Sequence, residues 1–486
     1  MMRILLILLW ASLLAWPAPG RAQGAETDFA TGIVSLQVTN QGYDAAFPWN
    51  KHREQQIAGN ALVVTGPFLL TAADMVKNAT LILVRKFGAY PDFTADLVKV
   101  DYQLNLALLR VDDPAFWAGL QPLPISEQPL LQGRFGIKRW RHNGRFEQGS
   151  GEVVEYRMAT SRFGDLDLPQ LRGASSMSGL GWSEVLTHDA AAIGLVTGHN
   201  GQELVALTGH SLALFVKAAQ APQQRSFAHR GFSWQALNSE AMKAHFGQAR
   251  DDPGVLIRRM YAGGTGHRLL REGDILKRIG DHDIDPEGQI RHPAFGTVAF
   301  TIAVNDALGP TINVDILRDG KPLRLQLQRE RFTEDTYRIA PYEFDEAPDY
   351  QVFGGLVVQE LTRDYLQRWG ANWRTQAPAR LLIEHDLASL RDADSPVEKV
   401  VFVSRVLPDP VNIGYEDLRN AIVTALNGIP IRDLASFRQA MDKPQGDFHV
   451  LQLLPGQGRS TVVFRATELA RAGDRISQLY GVPQRH

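Results

Sequence analysis

The stretch L69-L-T-A-A-D-M-V76 ends an apolar strand in a threonine and two alanines, then sets a titratable side chain, Asp74, just beyond them. Small residues after a buried strand let the chain turn sharply. Asp74 therefore stands at a fixed place on a rigid framework, where proteins commonly present reactive groups. The same framework continues on both sides. GIVSLQV (32–38), NALVVTG (60–66), ATLILVR (79–85), ALLRV (107–111), AAIGLVTG (191–198) and ELVALTG (203–209) are short apolar runs between turn residues. Many short strands at such spacing predict a barrel or sandwich over about residues 30–220. SLALFVKAAQ (211–220) predicts a closing helix, and the polar APQQRS (221–226) a linker.

A different plan follows over 227–332. GVLIRRM (254–260) is a strand, and INVDILRDGKPLRLQLQRE (312–330) reads as a hairpin turning at Asp319-Gly320. SEAMKAHFG (239–247) reads as a helix ended by Gly247, and EGDILKRIGDHDI (272–284) as a strand between turns. Beyond a link near 333–350 the order strand, strand-turn, helix, strand recurs. It is carried by KVVFVSRVL (399–407), IVTALNGIPI (422–431), DLASFRQAMDK (433–443) and FHVLQLL (448–454). Asn427-Gly428 takes the place of Gly280-Asp281. Two consecutive small barrels decorated with helices are expected, the second spanning 345–470 with an inserted helical stretch near 363–394.

Composition sets limits on function. The chain has 486 residues, enough for three domains at ~150 residues each. A formal charge of −2 offers no footprint for nucleic acid. The basic run Lys138, Arg139, Arg141 and Arg145 around Trp140 reads as a solvated hairpin. At the N-terminus, Arg3, an apolar core from Ile4 to Trp16 and a helix-breaking Pro17–Ala22 have the pattern of a signal peptide over residues 1–22. That apolar run is short for a spanning helix, so no stable membrane span is expected. The absence of cysteine excludes disulfides, thiol nucleophiles and thiolate metal sites. Together these features imply export across an inner membrane to a bacterial periplasm. The 13 histidines form no H-x-x-x-H or H-E-x-x-H pair, so neither a metal site nor a cofactor is expected.

A barrel of the first kind followed by two units of the second resembles the HtrA/Deg family, a trypsin-like double β-barrel followed by two PDZ domains. The overall class is mainly β with α/β elements. The residues carrying the likeness are DDPAFWAGLQPL (112–123), GFSWQALNSEAMKAHFG (231–247), GVLIRRM, REGDIL (271–276), ILRDGK (316–321) and VNIGYEDL (411–418). VNIGYE points to the plant-type Deg branch with an atypical second PDZ. The resemblance implies protein quality control and a homotrimer or larger assembly. It also places the catalytic positions. The family's histidine lies in a stretch like L-T-N-A-H-x-V, matched by LTAADMV with Asp74 in its place. The orienting acid lies in D-x-A-L-L, matched by NLALL with Asn105. The nucleophile lies in G-N-S-G-G-P, matched by SMSGLG with Ser178 retained.

Each replacement has a physical cost. A general base working near neutrality needs a pKa close to ~7, and aspartate has about 3.9. Asparagine in place of the orienting acid costs ~10⁴ in rate even with histidine present. Ser176 stands where a glycine shapes the oxyanion hole, and losing one hole donor costs about 10²–10³. No histidine lies between His52 and His142, so no shift of register supplies one. The expectation is a pseudoprotease. The alternatives are an active serine endopeptidase, a hydrolase recruiting His188 or His199, and a holdase-type chaperone.

PDZ units bind unfolded or C-terminal peptide segments by adding them to a sheet edge beside a turn that captures the carboxylate. The matching turns are Arg230, Gly231, Phe232, Ser233 and Trp234 in the first unit, and Phe353, Gly354, Gly355 and Leu356 in the second. Gly231 would let backbone approach a ligand, and Arg230 would favour its carboxylate.

Overall fold

Alternation of apolar and polar residues builds the first sheet. In Ile33–Asn40, Val34, Leu36 and Val38 point into one core, while Ile33 joins another. The computed structural model describes residues 28–220, 227–307, 309–333, 336–388, 396–456 and 459–483. The expected signal peptide, the 221–226 linker and the end of the 363–394 insertion lie outside them. The first sheet has seven antiparallel strands in the order Phe93–Thr94, Ala79–Arg85, Ile33–Asn40, Gln55–Val64, Phe68–Thr71, Leu106–Arg110 and Asp96–Asp101.

A second sheet closes on itself. Its order is Arg134–Trp140, Phe146–Thr160, Asp167–Ala174, Glu203–Thr208, Ala191–Asn200 and Val185–His188, the last pairing back to the first. Closure leaves no edge strand to template aggregation. Phe135, Ile137, Leu171, Leu186 and Val196 fill the interior. The seam between the two sheets is a separate core of Ile33, Leu62, Trp140, Leu166 and Leu195, covered by Leu212 and Phe215 of the helix Gly209–Gln220.

The basic run is not the solvated hairpin expected from its charge. Its tip, residues 141–145, is the turn of a hairpin, but Trp140 is buried and donates Nε1–H to the Ile33 carbonyl at 2.8 Å. Arg139 is 4% exposed and pairs with both Glu147 and Glu184. Alternation decides this, because Ile137 and Arg139 share the inward face of one strand.

The two C-terminal units repeat one plan. The first orders its sheet Phe232–Ala236, Val255–Met260, Ile275–Ile279, Thr311–Arg318, Lys321–Gln328. The second orders it Tyr350–Phe353, Leu356–Glu360, Val401–Val406, Ala421–Leu426, Phe448–Leu453, Thr461–Arg465. Gly280-Asp281 and Asn427-Gly428 are equivalent tight turns, each closed by a paired residue on either side. Asn427 and Gly428 both have positive φ, which suits asparagine and glycine. Ser239 caps the helix Glu240–His245, and Gly247 follows it with φ +70°.

The insertion forms the helices Arg363–Gln367, Trp373–Gln376 and Ala379–Leu387. The second unit also extends past the expected end at 470. The helix Ala466–Tyr480 packs Ala472 and Ile476 against Tyr350, Val357 and Leu407. Its apolar positions are too few along the chain to signal a core helix without that partner surface.

Candidate functional site

Asp74 is the second residue of a single helical turn, Ala73–Val76, which begins one residue after the buried strand Phe68–Thr71. Asn105 sits at φ +57° just before Leu106–Arg110, 3% exposed. Its Oδ1 accepts the backbone N–H of Asp74 at 2.8 Å. Two of the three positions inferred from sequence therefore meet. They meet through backbone, however, and Asn105 presents an amide where a triad needs an anion.

The Asp74 carboxylate is fully engaged. Oδ1 pairs with Lys77 Nζ at 2.6 Å and Oδ2 with Arg162 Nη1 at 2.5 Å. Above these groups lies the segment linking the two PDZ-type units. Phe344 packs on Tyr102 and Phe163, Tyr342 also packs on Tyr102, and Lys77 Nζ lies over the rings of Phe163 and Phe344. Asp345 fixes this cover: it accepts the Asn78 N–H at 2.6 Å, donates its own N–H to Asn78 Oδ1 at 2.8 Å, and accepts from the Tyr102 hydroxyl. Through Lys77 the linker comes within one side chain of Asp74.

Ser178 makes no hydrogen bond to this pair among the described residues. It is exposed, and its recorded hydrogen bond is at the carbonyl, which accepts from Arg139 Nη2 at 3.1 Å. Arg139 Nη1 takes the Gly179 carbonyl at 2.8 Å. The loop is tied beneath by Glu184, 1% exposed, which accepts the N–H groups of Gly181 and Trp182 at 2.9 and 3.0 Å. Removing Arg139 would leave the buried Glu184 without its cation, a loss of roughly 3–5 kcal/mol. Backbone donors that could stabilise an oxyanion are here turned onto a resident carboxylate.

Ser183 bonds the residue that opens the Asp74 turn, and Trp182 the neighbouring strand. The Trp182 carbonyl accepts Asn60 N–H at 3.0 Å, and Ser183 Oγ accepts Ala72 N–H at 3.1 Å and meets Thr71 Oγ1 at 3.2 Å. A second frame of G-N-S-G-G-P fits here, three residues downstream of the first. Gly179-Leu180-Gly181-Trp182-Ser183-Glu184 keeps the glycine two places before the nucleophile, whose own place Gly181 then fills. The apolar strand Val185–His188 starting directly after Glu184 is the sequence signal that could have pointed to it. In this frame all three catalytic positions are substituted. The His188 ring lies 3.8 Å from the Asp189 carboxylate, and His199 has a buried Nε2 with no hydrogen-bond partner; among the described residues no hydrogen bond joins either to Ser178.

The two turns singled out for peptide binding are engaged within the chain itself. Arg230 donates Nε–H to the Phe232 carbonyl at 2.8 Å and pairs with Asp167 of the barrel domain, so it is not held out for a ligand. Gly231 has φ +79°, and a Cβ there would lie 2.2 Å from the Thr265 carbonyl. Its glycine serves the approach of the protein's own backbone. Phe232 stacks on Phe300 in the core, Trp234 meets Phe300 edge-on, and Ser233 pairs with Arg259. What remains open in the first unit is the outer edge of Phe232–Ala236, a terminal strand that pairs only with Val255–Met260 among the described residues.

In the second unit that edge is filled. Gly354 and Gly355, both at positive φ, form a tight turn that folds Tyr350–Phe353 back onto Leu356–Glu360. Asn412 donates to the Gly354 carbonyl, closing the turn against its own chain. Arg438 of the helix Leu434–Met441 grips Asp349 through two bonds of 2.9 and 2.7 Å and the Tyr350 carbonyl at 3.0 Å. Phe353-Gly354-Gly355-Leu356 is thus a hairpin turn, not an open anion nest. Sequence alone could not distinguish the two, because both need glycine at positive φ.

These features define a trypsin-like fold followed by PDZ units. A family profile described as PDZ domain matches residues 339–486. The chain is 24% identical over 470 residues to "Protease Do-like 2, chloroplastic" of Arabidopsis thaliana, covering 94% of this chain and 75% of that protein. It is 22% identical to "Protease Do-like 4, mitochondrial" of the same plant, covering 94% and 85%. Among solved structures, "HtrA-type protease AlgW with decapeptide" aligns with 63% of this chain and 96% of its own, at 15% identity and a TM-score of 0.47. The chain is thus similar over most of its length to Do-like (HtrA/Deg-type) proteases, and its C-terminal part matches a PDZ domain.

Proposed function

We propose that this protein is a catalytically inactive HtrA/Deg-type protein, exported to a bacterial periplasm, that binds exposed peptide segments of other proteins. The observation that carries the reading is the state of Asp74: both oxygens are ion-paired, and its partner position holds an asparagine bonded to backbone. A general base must be within hydrogen-bond reach of the proton it removes and free to accept it. Asp74 meets neither condition with respect to Ser178. The Glu184 bonds to Gly181 and Trp182 support the same reading, as does the linker over Lys77. For peptide capture, the open edge of Phe232–Ala236 supports strand addition in the first unit. The filled edge of the second unit supports a structural role for that unit. Assembly into a trimer or larger homo-oligomer is part of the proposal, by the family resemblance.

The test is incubation of the mature chain with unfolded casein and with a serine-directed fluorophosphonate probe. The expected result is neither cleavage nor labelling, with casein retained on the immobilised protein. Cleavage or labelling that disappears in Ser178→Ala would overturn the reading in favour of an active endopeptidase. Suppression of client aggregation, unchanged in Ser178→Ala, would reassign it as a holdase.

A further inference from the structure

Where the barrel domain, the first PDZ-type unit and the helical insertion of the second unit meet, the chain encloses a cavity of about 440 Å³. That volume is within the ~300–1,000 Å³ of small-molecule sites, which favour domain junctions. Asp165 comes from the barrel domain, His229 from the first unit, Tyr337 from the linker, and Arg363, Arg374 and His385 from the insertion. None of these residues belongs to the Asp74 site or to the PDZ edges.

Most ionised groups on the wall already have partners. Arg338 pairs with Glu384 at 2.6 Å, and Asp386 with His385 at 3.1 Å and Arg374 at 3.6 Å. Arg363 reaches Asp165 only through Nη2, at 3.3 Å. Two buried polar groups are left without any hydrogen-bond partner: Arg363 Nε and the Tyr337 hydroxyl. Buried polar atoms are nearly always satisfied, so two orphans on side chains that line one cavity indicate a missing acceptor. Burial first, and then the charge of Asp165, raise the Tyr337 hydroxyl above its ordinary range, which keeps it a donor. Aromatic surface lies beside them, since His229 stacks on Phe332 at 3.8 Å with Phe332 also on the wall.

We propose that this cavity binds a small carboxylic acid with an aromatic body, its carboxylate received by Arg363 Nε and the Tyr337 hydroxyl and its ring lying against the His229–Phe332 stack. Two orphan donors match the two oxygens of one carboxylate. A phosphate dianion would need further positive charge, and the neighbouring guanidinium groups are already neutralised. Because three parts of the chain contribute to the wall, the ligand fastens the barrel domain to both PDZ-type units. Occupancy therefore raises the melting temperature of the whole chain in a concentration-dependent way.

The experiment is calorimetric titration of the full chain with 3-phenylpropanoate and with its neutral isostere 3-phenylpropanamide, alongside thermal melts. The acid is expected to bind saturably and to raise Tm, with the amide at least tenfold weaker. Arg363→Gln should weaken acid binding at least tenfold, and Tyr337→Phe, which keeps ring and volume, at least threefold. If Arg363→Gln does not fold, Tyr337→Phe decides the matter alone. Absence of saturable binding, equal binding of the amide, or unchanged affinity in Tyr337→Phe overturns the proposal.

Discussion

Acidification should loosen the first PDZ-type unit through one residue, His229. Its ring is 4% exposed, stacked on Phe332, and its Nδ1 accepts the Gly231 N–H at 2.9 Å. Burial, aided by the charge of Arg230, pushes its pKa from 6.5 down to about 3. Between those values the unfolded chain holds one proton more than the folded chain. Stability therefore rises with pH across this window and is lost as pH falls. From pH 7.5 to pH 5.0 the unfolded imidazole changes from almost neutral to almost fully charged, about 1.5 pH units of linkage, or about 2 kcal/mol. Asp306, held down to about 2 by burial-opposing hydrogen bonds from His210 and His292, is ionised in both states over this range and stays silent. His385 and His449 are also lowered by burial, so the comparison must isolate His229. The perturbation is His229→Asn, whose amide oxygen can still accept the Gly231 N–H. The assay is hydrogen–deuterium exchange of the strand Val255–Met260 at pH 7.5 and 5.0, corrected for intrinsic chemical rates. Wild-type protection should fall roughly 30-fold more than that of the variant, the ratio equivalent to about 2 kcal/mol. Equal losses in the two proteins would refute the reasoning.

Three further outcomes follow from the geometry. Restoring histidine and aspartate with Asp74→His plus Asn105→Asp should yield no casein hydrolysis above background, because Gly181 fills the nucleophile's place in the downstream frame and the Gly181 and Trp182 N–H groups remain bonded to Glu184; fluorescence release from labelled casein checks this. Gly231→Ala should cost about 2–3 kcal/mol, since an alanine must hold φ near +79° and move the Thr265 carbonyl, read as a drop in urea midpoint. Arg329→Met should cost on the order of 3 kcal/mol, because Arg329 is 0% exposed and holds the carbonyls of Val304, Asn305 and Gly309, which methionine would leave unsatisfied. A melting temperature within a degree of wild type would contradict that last assignment.

The fold was largely legible because its signals are local. A period of two is enough to recognise Ile33–Asn40 or Gln55–Val64 as strands, and glycine or asparagine after an apolar run is enough to place the turns at 280–281 and 427–428. The site was legible only in part. Asp74 and Asn105 were found because short motifs flank them, and the structure joins them by one hydrogen bond. Ser178 comes from one frame of the motif, and the frame three residues downstream sets Gly181 in that place. The turns Arg230–Trp234 and Phe353–Leu356 carried the right residue types for an anion nest, but those types serve equally well for a close backbone approach and a tight hairpin.

By itself, then, the sequence determined that the chain is mainly β, with a trypsin-like fold followed by PDZ units, and that aspartate and asparagine stand at 74 and 105 in LTAADMV and NLALL. Tertiary structure alone decided what surrounds Asp74. Lys77 and Asp74 are three residues apart, but Arg162, Phe344 and Asp345 arrive from far along the chain. Arg139 and Glu184 likewise meet across 45 residues inside a barrel where neither charge would be expected. Strand periodicity is written into neighbouring residues because the pleat is local. Charge pairing, a plugging linker and a filled sheet edge depend on which distant segments pack together, and no local pattern records that.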